Sequence, residues 1–296
     1  MMKMREYNIK MYLNEDLKRF LLRFLFPFRN HFRLLDINDR AKKNKVNLNY
    51  WKKSDNIGDA LSPVIVEYML QKKNLTLNTK VNGRKHLYAV GSVITSGIQD
   101  ATIWGSGILN TKYTYRLYKR KLDIKAVRGP ITHAILSDYG YNPPKNFGDP
   151  AILLPEIYMP TNQKKKHLYG LIMHIDDLID YKRDDEPEVL FIDVRTSDYK
   201  FFIDQICACE MIISSSLHGI IVAESYSVPA ILLKPKKDFL KYYDYYYSTG
   251  RTEIPFADTI EEAKKVNALP LPELAVLREG LKAAFPYDLF KYKINK

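Results

Sequence analysis

The sequence predicts an α/β protein of two Rossmann-like lobes, each a parallel sheet covered by helices, with a cleft between the lobes. Three observations predict it. Apolar strand-like runs alternate with amphipathic helical stretches along most of the chain, the pattern of parallel sheets buried on both faces. At 296 residues, 46% apolar and 27% charged, the chain is long enough for two lobes of ordinary size and carries no compositional sign of disorder. Between the two alternating regions, MPTNQKKKHL (Met159 to Leu168) combines Pro, Asn, Gln and a basic run without apolar periodicity, and reads as a linker. The chain thus divides into a basic amphipathic segment (1–45), an N-terminal lobe (46–160), a C-terminal lobe (165–257) and closing helices (258–296).

In the first lobe, VNLNY reads as a short strand and Asp59 to Leu70 as a helix with Leu61, Val64, Ile65, Tyr68 and Met69 on one face, joined by the turn SDNIGD. His86 to Ile94 and Ala101 to Leu109 read as strands running into glycine, where Gly91, Gly105 and Gly107 let backbone approach a ligand or a neighbouring strand. Asp123 to Val127 is a strand ended by Arg128, followed by a helix with Pro130 at its first position and a stop near Gly140. NFGDPAILLP adds a helix start at Asp149 and Pro150. In the second lobe LYGLIMHIDD, EVLFIDVRT, MIISSS and PAILLK read as strands, SDYKFFIDQICACE as an amphipathic helix and GIIVAESYS as a short buried one. KKDFLKYYDYYYSTGR is tyrosine-rich, and residues 258–285 read as two helical pieces.

Forty-six Lys and Arg against thirty-four Asp and Glu give a net charge of +12, which favours anionic partners. Cys207 and Cys209, two apart in the helical reading, have diverging side chains that suit neither a local disulfide nor a metal clip, and the chain reads as intracellular and reduced. No apolar run approaches the roughly 20 residues of a membrane span, and no signal-peptide core is present, so export and integral insertion are not expected. LKRFLLRFLFPFRNHFRLL, residues 17–35, interleaves Lys18, Arg19, Arg23, Arg29 and Arg33 with Phe and Leu and is broken by Pro27. It reads either as a helix packed on the protein with snorkelling bases or as a helix lying on an anionic membrane surface.

Ligands of open parallel sheets bind beyond the carboxyl ends of the strands, where the free N–H groups and dipoles of the following helices favour anions. DNIGD, GS, GSG, VRG, MHIDD, VRTSD and SSSLHG all fall at such ends and should face one cleft. In SSSLHG, Ser214, Ser215 and Ser216 lead into a helix whose first N–H groups, on Leu217, His218 and Gly219, can hold an anion beside a titratable imidazole. The plainer reading is a core histidine with capping serines. Arg128 either clamps a carboxylate or phosphate or forms an ion pair between the lobes, and Arg195 has a similar opportunity after its own strand. Asn56 and Asp59 flank Gly58 at a helix start, as caps or as substrate contacts. Gly105, Ser106 and Gly107 form a strand-end loop on the same cleft. His174 with Asp176 and Asp177 supplies too few ligands for a metal, and none is expected.

The order DNIGDALSP, GSGI, VRGPIT, GDPAILLP and ISSSLHGIIVAESYSVPAI resembles the polysaccharide pyruvyl transferase family, from about Asn47 to Tyr247, with SSSLHG followed by AESYSVP as its most specific part. The resemblance implies a GT-B-like enzyme that moves pyruvate from phosphoenolpyruvate onto a sugar of a capsular or exopolysaccharide repeat unit, forming a pyruvate ketal and releasing phosphate. It matches His218 to the catalytic histidine and Arg128 to an arginine that holds the donor. Some members carry arginine where this chain has Ser216, and Arg195 or Lys241 would then supply the second cation. No cofactor is implied besides the donor substrate. The implied partners are phosphoenolpyruvate and a sugar or lipid-linked oligosaccharide, not nucleic acid. Because such units are commonly built on lipid phosphates, the segment at 17–35 would make a cytoplasmic protein peripheral on the inner membrane face. Two other readings compete: a GT-B glycosyltransferase using a nucleotide sugar, and a non-catalytic basic module for acidic glycan or nucleic acid.

Overall fold

The computed structural model describes residues 41–52, 55–118, 120–161, 164–178, 188–236 and 238–291, so the basic stretch at 17–35 lies outside the described residues. Among the described residues two sheets form, each parallel throughout. β1 (Lys45–Asn49), β2 (Arg84–Tyr88), β3 (Ala101–Trp104) and β4 (Leu122–Ala126) lie side by side in chain order. β5 (His167–Ile172), β6 (Val189–Phe191), β7 (Cys209–Ser214), β8 (Ala230–Leu233) and β9 (Phe256–Ala257) make the second sheet, in the order β6-β5-β7-β8-β9. A parallel neighbour needs a crossover connection, which is what the strand–helix alternation supplies. The α/β class and the two parallel sheets agree with the sequence reading.

The helices are α1 (Ile57–Gln71), α2 (Pro130–Asp138), α3 (Tyr199–Cys207), α4 (Leu217–Ser225), α5 (Leu240–Ser248), α6 (Ile260–Ala263) and α7 (Ala275–Ala283). Strand side chains alternate between cores, as the two-residue period demands. In β8, Ala230 and Leu232 enter a central apolar cluster, whereas Ile231 and Leu233 enter another on the opposite face with Ala263 of α6. The central cluster is shared by both sheets: it joins Val46, Leu87 and Trp104 to Ile172, Ile212 and Leu232, through Ile57, Leu61 and Ile65 of α1 and Ile220 of α4. A third cluster, with Tyr88, Ile103 and Val127, lies on the far side of the first sheet beneath Leu136 of α2.

Several local readings change. The Asp-Pro start at 149–150 opens a 3₁₀ segment, Pro150–Glu156, and Pro155 inside it removes an N–H that a longer α-ladder would require. SDYKFFIDQICACE divides, with α3 ending at Cys207 and β7 beginning at Cys209, so the two free, buried cysteines belong to different elements. The tyrosine-rich stretch forms α5, whose Tyr242, Tyr245 and Tyr246 turn inward. Their hydroxyls remain satisfied where partners are near: Tyr242 donates to the Ser215 carbonyl and Tyr245 to Glu224 Oε2 at 2.7 Å. The closing α7 returns to the first sheet: Trp104 Nε1 donates to the Leu281 carbonyl at 2.8 Å, and Arg278 reaches the carbonyls of Ile152 and Ser225. Lys282 pairs with Glu156 at 2.9 Å. Among the described residues no helix is long and apolar enough to cross a membrane.

Candidate active site

β7 hands over to α4 through three serines whose hydrogen bonds fix the turn. Ser214 Oγ accepts the Ser216 amide at 3.0 Å and lies 2.9 Å from the Ile172 carbonyl, while Ser215 Oγ accepts the His174 amide at 2.8 Å. Ser216 is the N-cap residue by backbone conformation (φ −93, ψ 126) but makes no side-chain cap. The serines therefore hold the turn from within, and the first-turn amides of Leu217, His218 and Gly219 have no acceptor inside their own helix.

His218 lies where the carboxyl ends of the two sheets meet. Its side chain keeps 16% of its surface accessible, and its Nε2 is 3.8 Å from Oδ2 of the fully buried Asp149. Both of those atoms are buried without a hydrogen-bond partner. On another side the ring abuts Gly58 of α1, where any Cβ would overlap it. Burial, reinforced by the positive charges of Lys241, Arg128 and His174, pushes the His218 pKa down to about 3. Burial, helped by the charge of Asp244, pushes Asp149 up to about 6, against the opposing pull of the Ala151 amide, Arg128 and the Gly91 amide. At neutral pH the imidazole is thus uncharged and faces a carboxylate.

The other sequence-predicted residues fall around this ring at different depths. Asn56 caps α1 by accepting the Gly58 amide at 3.1 Å, and Asp59 accepts the Trp51 amide at 3.2 Å. Burial raises the Asp59 pKa, opposed by that amide and by Lys241. Lys241 on α5 thus carries charge toward both Asp59 and His218. Ser106 Oγ and the Gly107 amide both donate to the Gly91 carbonyl, at 2.8 and 3.0 Å, and with Gly105 they tie the end of β3 to the end of β2. Arg128 is wholly buried: its guanidinium donates to Asp244 at 3.0 Å, to the Ile108 carbonyl at 3.0 Å and to Ser92. Its charge reaches His218 through space. Arg195 is more exposed, bonds Asp193 through Nη2 at 2.6 Å, and lines a cavity of about 500 Å³ with Phe191 and Phe201. That cavity adjoins the site along the backbone, since the Ile57 amide donates to the Val194 carbonyl at 2.8 Å. His174 pairs with Asp176 at 3.2 Å, and no group of three or more metal-binding side chains occurs among the described residues.

Asp149 and Asp244 are the residues that sequence reasoning missed as neighbours of the site. The Asp149 cap is real, with Oδ1 accepting the Ala151 amide at 3.1 Å, but its second oxygen is turned toward His218. Asp244 lay hidden in a run of tyrosines, with no local signal.

The family profile of polysaccharide pyruvyl transferases matches residues 54–237. An uncharacterized protein of Acanthamoeba polyphaga mimivirus is 29% identical over 216 residues, covering 69% of this chain and 74% of that protein. A crystal structure of a functionally uncharacterized protein from Klebsiella pneumoniae subsp. pneumoniae is similar at a TM-score of 0.47 and 14% identity, covering 73% of this chain and 94% of the other. The profile takes in more than half of the chain, from the start of α1 through Arg128 and Asp149 to the serine-histidine turn, and the chain therefore belongs to the polysaccharide pyruvyl transferase family.

Proposed function

We propose that the protein transfers the pyruvyl group of phosphoenolpyruvate to a sugar of a capsular or exopolysaccharide repeat unit, forming a ketal across two hydroxyls and releasing phosphate. The observation that carries this reading is the placement of His218, an uncharged imidazole at the amide-rich start of α4 with Lys241 close by.

Ketal formation breaks two sugar O–H bonds, the donor's C–O bond to phosphate and the π bond of its C=C, and makes two new C–O bonds, one C–H bond and one O–H bond on the released phosphate. One proton ends on the former methylene carbon and the other leaves with phosphate. His218 serves this traffic by accepting a hydroxyl proton on its uncharged ring, and once protonated it can act as the acid toward carbon, roles open to an imidazole. The α4 amides and Lys241 hold the donor's carboxylate and the departing phosphate, and Arg128 adds its field. The cavity beside Arg195, with the rings of Phe191 and Phe201, receives the acceptor sugar. In this reading the two sheets act as GT-B-like halves, and the segment at 17–35 holds the enzyme against an anionic membrane face.

The test is incubation with phosphoenolpyruvate and lipid-linked or synthetic sugars, following phosphate release and acceptor mass. Phosphoenolpyruvate should raise the melting temperature by mass action and nucleotide sugars should not. His218→Ala should stop turnover while the fold survives. Absence of both the thermal shift and phosphate release in the unaltered protein would refute the reading.

A further inference from the structure

We infer that Asp149 is a positioning residue for His218: its Oδ2 takes the Nε2–H of the imidazole, leaving Nδ1, beside Gly58, as the nitrogen that exchanges a proton with substrate. The catalytic meaning rests on the proposed transfer. The geometry does not.

Two independent observations lead there. The first is the pair of unpartnered buried atoms, Asp149 Oδ2 and His218 Nε2, 3.8 Å apart. Each left alone forgoes the hydrogen bond that water would supply in the unfolded chain. A closing movement to about 2.8 Å would satisfy both at once, and hydrogen bonds of this kind tighten when substrate binds. The carboxylate is not free to turn away, because its Oδ1 is held by the Ala151 amide at 3.1 Å as the cap of the 3₁₀ segment.

The second observation is Gly58. A Cβ at this position would overlap the ring, with Nδ1 its nearest atom, so only glycine lets that edge of the ring lie this close to the start of α1. Nε2 is enclosed although the side chain retains 16% accessible surface, so the part of the ring that solvent reaches lies away from Nε2. Around the ring, Lys241 from α5, Arg128 after β4 and His174 after β5 all oppose a positive imidazole. Of the nearby acids, Asp244 is engaged with Arg128 at 3.0 Å, and Asp59 feels Lys241. Asp149 is placed to offset an imidazolium formed in turnover, on the side away from substrate. It also selects the tautomer, since a carboxylate can only accept.

The experiment is nitrogen NMR on the full chain labelled with [15N]histidine, His218 being assigned by the loss of its signals in His218→Gln. The unaltered protein should show the proton on Nε2 and a bare Nδ1. Asp149→Asn can still cap through its amide oxygen but points an NH2 at Nε2, so the proton should move to Nδ1. In that variant kcat should fall roughly 100-fold or more, with KM for phosphoenolpyruvate nearly unchanged. Asp149→Ser retains a capping oxygen without the charge and should lose the Nε2 preference, which provides the same readout if the Asn variant does not fold. A proton on Nδ1 in the unaltered protein, or an unchanged tautomer and kcat in Asp149→Asn, overturns the inference. If the tautomer is as expected but phosphoenolpyruvate yields no phosphate with any acceptor, the proposed transfer fails while the role of Asp149 in holding the ring stands.

Discussion

The Arg128 guanidinium and the Asp244 carboxylate meet at 3.0 Å, 116 residues apart in sequence, and neither side chain has any exposure to solvent. The carboxylate also accepts the Thr132 amide at 2.9 Å and the Thr132 hydroxyl at 2.7 Å, so the buried charge pair is fully engaged. It joins the end of β4 to α5, the helix that presents Lys241 to the site.

Removing one partner leaves the other charge buried and unanswered, which costs about 3–5 kcal/mol. Asp244→Ala should therefore unfold at markedly lower denaturant than the unaltered protein, and Asp244→Asn should lie between them. Denaturant midpoints that coincide for all three would show that the pair contributes nothing to the fold.

Asp149 and His218 should give stability opposite dependences on pH. Asp149 is raised from 3.8 to about 6 in the fold, so the folded state holds its proton more tightly, and raising the pH from about 4 to 6 removes stability. His218 is lowered from 6.5 to about 3, so the unfolded chain binds its proton more tightly, and stability rises with pH across about 3 to 6.5. In the shared window the two slopes offset each other. His218→Gln should expose the falling slope and Asp149→Asn the rising one, read from denaturant midpoints at about pH 4.5 and 6. Parallel slopes in the two variants would contradict the assignment.

Burial pushes the Cys207 thiol up to about 11 and the Cys209 thiol up to about 12. Reaction with a thiol reagent depends on the thiolate. Both cysteines should be slow to label near pH 8 in the native protein and quick in denaturant. Fast native labelling at either position would mean that the α3–β7 junction opens readily.

The cavity beside Arg195 is open to a test that separates donor from acceptor. Phe201 is 58% exposed, so Phe201→Ala should leave stability within about 0.5 kcal/mol. Both it and Arg195→Ala should raise KM for the sugar while leaving KM for phosphoenolpyruvate unchanged. A rise in the donor constant instead would assign the cavity to the phosphorylated acid.

Vesicles containing anionic lipid should carry the full chain upward in flotation and leave behind a chain lacking residues 1–40, with high salt weakening the first result. Equal flotation of the two forms would discard the membrane role of the segment at 17–35.

The sheets were legible because strands such as ATIW and AILL are buried at every position, which writes them into the sequence as uninterrupted apolar runs. The α5 helix was not legible, since in YYDYYY the inward and outward positions are occupied by the same residue and no period can be seen. β9, two residues long, is too short to give any pattern. In the candidate site, the turn around His218 could be read because its serines, glycine and imidazole are adjacent in the chain. The approach of Asp149 to His218 and the choice of Asp244 on α5 by Arg128 are set by how distant elements meet, and local sequence carries no trace of that. Both readings offered for Arg128 were chemically sound, and tertiary packing decides its buried partner.

The family profile stops at residue 237, yet α7 supplies the acceptor for the Trp104 indole, and Phe285, just beyond it, packs edge-on against that ring at 4.8 Å. Arg278 on the same helix grips carbonyls from both halves of the molecule. The tail thus works as a latch, and the unit that must fold is longer than the stretch the family profile matches. A protein trimmed at residue 237 would bare an indole at the heart of the first sheet and loosen both halves together.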